Sequence, residues 1–373
     1  MSNTSHTWRA VAATLSVVFA VGLTACKSKP VEEKAAPPAA VPPAAAPSAE
    51  KAELPPAPAE FPQMKIPADN PQTPEKIALG NQLFFDTRLS ADGSRACYSC
   101  HQNENGTGGA IPLAVGAKEK QLTRHSPALW NVGYYEAFYW DGRASSMEAQ
   151  VKGAWAGGNM GVGKENLDKK AAEIAKIPGY KKAFDKAFPG EGVTPDTIAK
   201  AISAYERTLI CNDTAYDRYA KGDDTALSEQ QKKGWALFMG KGQCVLCHAP
   251  PMFSSAMGVP GGLYYDIGIG TAGKPEDQVD VGRFKVTKQA SDWAAFKIPS
   301  LRNATKIAPY FHDGSVPTLD GAVKIMSTGG INNKNKTSLL ADRGFTDQER
   351  ASVVAFLGAL ECGGKLEKPE LPK

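Results

Sequence analysis

Histidine is scarce in this chain, five residues in 373, and that scarcity limits how metals could be held. His6 lies in an amino-terminal apolar stretch, which leaves only His101, His125, His248 and His312 for the body of the protein. Charge of one sign is lacking too. The formal net charge of +4 is too mild to suggest nucleic acid, and no basic cluster follows a nucleic-acid pattern. The apolar run at residues 10–23 is too short to span a bilayer comfortably. Strand signals are sparse, the best at 263–269 and 281–287, and loops rich in Gly and Pro separate helical patterns. The expected class is mainly α with little strand.

Cysteine is infrequent but placed with purpose. Cys97-Tyr98-Ser99-Cys100-His101 and Cys244-Val245-Leu246-Cys247-His248 both have the Cys-x-x-Cys-His spacing of c-type haem attachment. The two thiols bond to the porphyrin, and the adjacent imidazole falls on the iron as proximal ligand. Cys97, Cys100, Cys244 and Cys247 are therefore expected to hold two covalent haems c, with His101 and His248 on the irons. Two Cys-x-x-Cys pairs could instead make an all-thiolate zinc knuckle. That alternative leaves unexplained why a histidine follows both second cysteines. Cys211 and Cys362 remain, each at the end of an expected helix, and in an exported protein such a pair is more often a disulfide than two free thiols.

Export is expected from the first residues. Arg9 gives a thin positive start, residues 10–23 an apolar core, and Leu23-Thr24-Ala25-Cys26 resembles a bacterial lipobox. Residues 1–25 are read as a lipoprotein signal peptide cut before a lipid-bearing Cys26. The alternative is ordinary secretion, with Cys26 discarded. Residues 26–72 are rich in Pro, Ala, Glu and Lys and are expected to be a disordered stalk. The location implied is the periplasmic side of a bacterial membrane, touched only through the lipid. The roughly 300 remaining residues suffice for two domains, placed at 73–225 and 226–373.

The two parts repeat weakly. Gly80-Asn81-Gln82-Leu83-Phe84-Phe85 precedes the first haem motif, and Gly234-Trp235-Ala236-Leu237-Phe238 the second. Thr73 before Pro74-Glu75 and Ser228 before Glu229 are helix starts. Further helices are expected at 146–152, 167–177, 181–188, 194–210 and 346–360. The architecture expected is two cytochrome c-like haem domains joined by long loops.

From about Pro74 to Leu360 the chain resembles the bacterial di-haem cytochrome c peroxidases and their MauG-like relatives. The likeness lies in Leu-Phe-Phe-Asp-x-Arg-Leu-Ser at 83–90, Ser-Pro-Ala-Leu at 126–129 and Trp-Asp-Gly-Arg at 140–143. Pro-Ser-Leu-Arg-Asn at 299–303 and Pro-Tyr-Phe-His-Asp-Gly at 309–314 extend it. The resemblance implies reduction of hydrogen peroxide at the amino-terminal haem. Electrons would arrive at the carboxy-terminal haem from a small cytochrome c or copper protein, and a homodimer is possible. It implies that Trp140 bridges the two haems and that Met326 is the second axial ligand of the carboxy-terminal one. The protein-modifying relatives carry tyrosine at that place. His312 matches a histidine near that haem and is not assigned to iron.

Three departures stand out. The family's distal glutamate is expected about nine residues after Gln150, where this chain has Asn159. Asparagine can hydrogen-bond peroxide but cannot shuttle a proton, and the nearest acid downstream is Glu165. No histidine occurs between Gln102 and Arg124 to cap the resting first iron, which leaves His125 or Met160 as rivals to an open site. His125 also stands where relatives have an asparagine that helps to bind calcium between the domains. Histidine is a poor calcium ligand, so calcium would rest on carbonyls near Ile307 and Pro309. The expected function is a di-haem peroxidase with weakened proton transfer. The alternatives are a non-peroxidatic electron-transfer or sensor protein and a MauG-like protein-modifying oxidase.

Overall fold

A computed structural model describes residues 61–373. The signal segment 1–25, Cys26 and most of the expected stalk lie outside the described residues. The α-helices are α1 Pro74–Phe85, α2 Met147–Ala156, α3 Leu167–Ala175, α4 Pro178–Ala187, α5 Pro195–Glu206, α6 Ala215–Ala220, α7 Glu229–Met239, α8 Phe284–Thr287, α9 Leu319–Ser327 and α10 Asp347–Gly358. The strands are β1 Tyr264–Tyr265 and β2 Phe296–Lys297, which pair antiparallel. The expected mainly helical class holds.

The weak repeat has a packing cause. α1 crosses α5, and a Cβ at Gly80 would lie 1.9 Å from the Ala201 carbonyl oxygen. α7 crosses α10, and a Cβ at Gly234 would lie 1.9 Å from that of Ser352. Each glycine lets two backbones touch, which no other residue would allow. Side-chain caps start these helices, with Thr73 accepting from the Lys76 amide and Ser228 and Thr346 forming capping boxes with Gln231 and Glu349.

Around the first crossing Leu79, Leu83, Phe84, Ile198 and Ile202 are buried, and around the second Trp235, Phe238, Phe253 and Phe356. Burying each such side chain contributes about 1.5–3 kcal/mol.

A second repeated device follows each crossing. Asn131 (φ 61°) and Asn303 (φ 64°) are both left-handed, a backbone that asparagine tolerates. The Asn131 amide donates to the Leu209 carbonyl at 2.8 Å, and its side-chain oxygen accepts from the Cys211 amide at 2.9 Å. The Asn303 amide donates to the Leu360 carbonyl at 3.0 Å, and its side-chain oxygen accepts from the Cys362 amide at 2.7 Å. Each asparagine thus locks the chain leaving α5 or α10. Cys211 and Cys362 are bonded to each other in a disulfide. Beyond it the carboxy-terminal tail packs on the first half: Leu366 is buried in that core, and its amide donates to the Asn103 side chain at 2.7 Å.

Two expectations need correction. Residues 281–287 do not form a strand. Gly282 at φ 54° turns the chain into the short helix α8, so β-branched content there reflects a turn packed beside Trp293. The stalk expected over 26–72 also ends sooner. Asn70 is fully buried, donating to Glu148 at 2.8 Å and to the Lys200 carbonyl at 3.0 Å, and Gln72 donates to the Ala204 carbonyl at 2.8 Å. Polar side chains that satisfy backbone carbonyls dock this segment, together with Phe61, which packs on Tyr134.

Candidate haem site

Each Cys-x-x-Cys-His motif folds as one 3-10 turn, Cys244–Leu246 shortly after α7 and Cys97–Ser99 after α1 and the further turn Thr87–Leu89. The turn brings the two thiols of a motif to one side and the following imidazole inward. Cys97, Cys100, Cys244 and Cys247 are all free, whereas Cys211 and Cys362 are oxidised.

The histidine rings are held in one orientation. The Nδ1 of His101 bonds the Thr107 carbonyl at 3.1 Å, and that of His248 bonds the Phe253 carbonyl at 3.0 Å. A carbonyl only accepts, so Nδ1 carries the hydrogen and the Nε2 lone pair is left for a metal. Burial pushes both imidazoles down to about 4, which keeps them neutral. Both rings line a single cavity of about 940 Å³. Neutral imidazoles with one free nitrogen, free thiol pairs at attachment spacing and a cavity of this size fit a haem at each motif.

Trp140, Gln150, Asn159 and Met326 all line the same cavity. Gln150 comes from α2, whose start is capped by Ser146, and Asn159 from the tight turn that follows. Met326 comes from the last turn of α9, in the wall shared with His248. Trp140 is set by its motif. Its indole nitrogen donates to the His125 carbonyl at 2.9 Å, and its own carbonyl accepts from the Lys297 amide at 2.7 Å. Asp141, beside it, pairs with Arg124 at 2.8 Å and Arg143 at 2.9 Å. Arg124 also pairs with Asp280 at 2.7 Å. These buried charges stitch the Trp140 loop to the segment before α8.

The remaining candidates fall elsewhere. Glu165 is exposed, bonds Asn166 and does not line the cavity. Met160 is buried in the first core beside Trp155. His125 does line the cavity, and with its Nδ1 on the Ile111 carbonyl at 2.9 Å its buried Nε2 is left without a partner among the described residues, as at His101 and His248. His312 stacks on Phe296 with ring centroids 3.6 Å apart. Among the described residues no three His, Cys, Asp or Glu side chains gather as a metal site.

Two cavity residues have no signal in the sequence. Lys297, on β2, places its ammonium 3.2 Å from the Tyr135 ring centroid, and burial lowers its pKa to about 7. Glu206 ends α5 with its carboxyl buried and facing the cavity, and burial pushes it up to about 8. Nothing local distinguishes either from a surface charge.

Comparison with known proteins agrees with this geometry. A family model described as di-haem cytochrome c peroxidase matches residues 74–225. The chain is 34% identical over 354 residues to the cytochrome-c peroxidase IdrP1 of Pseudomonas sp. (strain SCT), covering 87% of this chain and 91% of that protein. It is 37% identical over 310 residues to the cytochrome c551 peroxidase of Pseudomonas aeruginosa, covering 81% and 82%. To the methylamine utilization protein MauG of Methylorubrum extorquens it is 33% identical over 309 residues, covering 82% and 84%. Among solved structures, a MauG-like protein associated with microbial copper homeostasis superposes with a TM-score of 0.75 at 30% identity, over 84% of this chain and 96% of that one.

Proposed function

The chain belongs to the di-haem cytochrome c peroxidase family, and from that premise we propose that it reduces hydrogen peroxide with electrons from a small redox protein. The single observation that carries this reading is the shared cavity in which His101, His248, Trp140 and Met326 all stand.

Cys97 and Cys100 would attach one haem and Cys244 and Cys247 the other, the first domain spanning 73–225 and the second 226–373. When bound, the haems supply iron that takes peroxide at one site and stores an electron at the other. His101 and His248 orient them through Nε2, their Nδ1 hydrogens fixed on backbone carbonyls. Met326 lines the same cavity as His248 and would supply a thioether ligand to that haem, which suits a high potential and electron entry. Trp140, held at both its indole nitrogen and its carbonyl, offers a conjugated bridge that need not reorganise.

On the peroxide side Gln150 and Asn159 can donate hydrogen bonds to peroxide but cannot move its proton. Met160 stands in the core. Our reading is that the first site would be open at rest and need no reductive activation, with His125, whose buried Nε2 has no partner among the described residues, as the rival ligand. A calcium ion between the halves would rest on backbone carbonyls such as those of Ile307 and Pro309.

The setting is the periplasm, with a small cytochrome or copper protein as donor and an anchor through Cys26. Among the described residues no helix is long and apolar enough to cross a membrane. Asn159 is what favours a non-peroxidatic carrier instead, and Met326 is what argues against a protein-modifying oxidase. Haem quantification on denatured protein, combined with peroxide turnover using a reduced donor, tests the reading. Two haems per chain that survive acid-acetone extraction and measurable turnover are expected. Recovery of one haem or none, or stoichiometric zinc, would overturn it.

A further inference from the structure

The amino-terminal half holds a carboxyl for which the reaction has so far found no use. Glu206 is 6% exposed, and its side chain faces the cavity. Its carboxyl has no hydrogen-bond or ion-pair partner among the described residues, the nearby charges acting on it only through space. The adjacent Arg207 is engaged elsewhere, with Glu148 at 2.7 Å.

The internal repeat shows what the same place holds in the other half. α5 meets Gly80 through Ala201 and Tyr205, and α10 meets Gly234 through Ser352 and Phe356. In that register Glu206 corresponds to Leu357, which is 3% exposed and lines the same cavity. At matching places of the repeat the cavity thus carries a leucine in one half and an acid in the other. An unpaired carboxyl in an apolar wall is costly as an anion and is retained most cheaply as a neutral acid.

We propose that Glu206 is the acid of the amino-terminal haem site, holding the proton that peroxide reduction needs there and that Asn159 cannot supply. The proposal rests on the peroxidase reading. The charged and titratable groups that act on Glu206 through space are Arg207 and Tyr205 on its own helix, Glu148 from α2, Tyr139 from the Trp140 loop and Cys97 from the haem motif. Burial and Glu148 favour the neutral acid, and Arg207 opposes them. Tyr139 donates to the Gln150 carbonyl at 2.9 Å, so the acid borders the wall that carries Gln150 and Asn159.

Reduction of one peroxide to two waters consumes two electrons, both from the redox donor, and two protons. As the O–O bond breaks, the leaving oxygen takes the proton from Glu206 and departs as water. The second proton comes from solvent, and solvent then reprotonates the carboxylate. The same acid links proton to electron. A reduced haem beside it raises its hold on the proton, so reduction becomes harder as pH rises through its ionisation.

Redox titration of the amino-terminal haem in the di-haem protein tests this, between roughly pH 6 and pH 10. The parent should show a reduction equilibrium constant that falls by up to about tenfold per pH unit. Glu206→Gln should flatten that slope, and so should Glu206→Leu, which installs the counterpart's residue and keeps the test available if the amide variant misfolds. Peroxide turnover near neutral pH should fall at least about tenfold in both, with the potential of the carboxy-terminal haem unmoved. Variants that keep the parental slope or the parental turnover would overturn the proposal. A parent that reduces no peroxide, yet whose slope Glu206→Gln abolishes, would sink the peroxidase reading and leave the proton link standing.

Discussion

The indole nitrogen of Trp140 donates to the carbonyl oxygen of His125, 2.9 Å away, and His125 in turn donates its amide to the His312 carbonyl at 2.7 Å. One chain of hydrogen bonds therefore runs from the Trp-Asp-Gly-Arg loop through the segment after the first haem motif to the Pro-Tyr-Phe-His-Asp-Gly loop. Two of the motifs that carry the family resemblance, 140–143 and 309–314, are thus joined through His125. One link is made by the Trp140 side chain and the other by backbone atoms alone.

Trp140→Phe tests the bridge. The phenyl ring keeps most of the packing and loses the bond to His125, at a cost of about 1 kcal/mol. Both haems should still bind, and the carboxy-terminal haem should still accept electrons from a donor. Rapid mixing with peroxide should show slower oxidation of that haem. An unchanged rate would remove Trp140 from the electron path.

Met326 lies in the wall shared with His248, at the end of an amphipathic α9. Met326→Ala should open a coordination position, and Met326→His should lower the potential of the carboxy-terminal haem, because imidazole stabilises the oxidised iron better than a thioether. Optical redox titration reads both. If Met326→Ala leaves the spectrum and both potentials as they were, the methionine is packing.

The disulfide joins Cys211 to Cys362 across 151 residues. Closing so long a loop restrains the unfolded chain strongly, and its removal should cost about 2–5 kcal/mol. Denaturant unfolding of Cys211→Ala/Cys362→Ala should show that loss. The tail beyond Cys362 should become more susceptible to protease, although Leu366 with Asn103, and bonds from Gln82, Arg88 and Gly179 to its carbonyls, would still hold it. Unchanged stability would mean that the Asn131 and Asn303 locks suffice.

What could be read from the sequence was whatever depends on local spacing. Both haem motifs, the weak repeat around Gly80 and Gly234 and the helix caps are set by residues within one or two turns of each other, whereas the crossings at those glycines rest on partners far along the chain. Residues 281–287 misled because Val and Thr content resembles a strand, while Gly282 and the contact with Trp293 decide the turn. Asn70 and Gln72 misled because a Pro-rich neighbourhood hides side chains that bond distant carbonyls. The matching roles of Asn131 and Asn303 stayed hidden, since each acts on a chain end some sixty to eighty residues away. Glu206 and Lys297 became notable only once burial was known.

Asn159 faces the cavity from the turn after α2, beside Gln150 and away from the exposed Glu165. The family's acid is absent there, and the carboxyl of Glu206 in the same cavity is only a partial substitute for it. Loss of a positioned general acid-base group costs about 100-fold to 10,000-fold. Peroxide turnover in the parent should therefore be slow for such an enzyme, and Asn159→Glu should raise it by about tenfold or more. The sharper comparison uses the Glu206→Gln background. There the proton has no buried source, so adding Asn159→Glu should restore turnover to at least the parental level. Steady-state assays with a reduced donor decide the matter. A double variant as slow as Glu206→Gln alone would show that position 159 does not reach the peroxide, whichever residue supplies the proton.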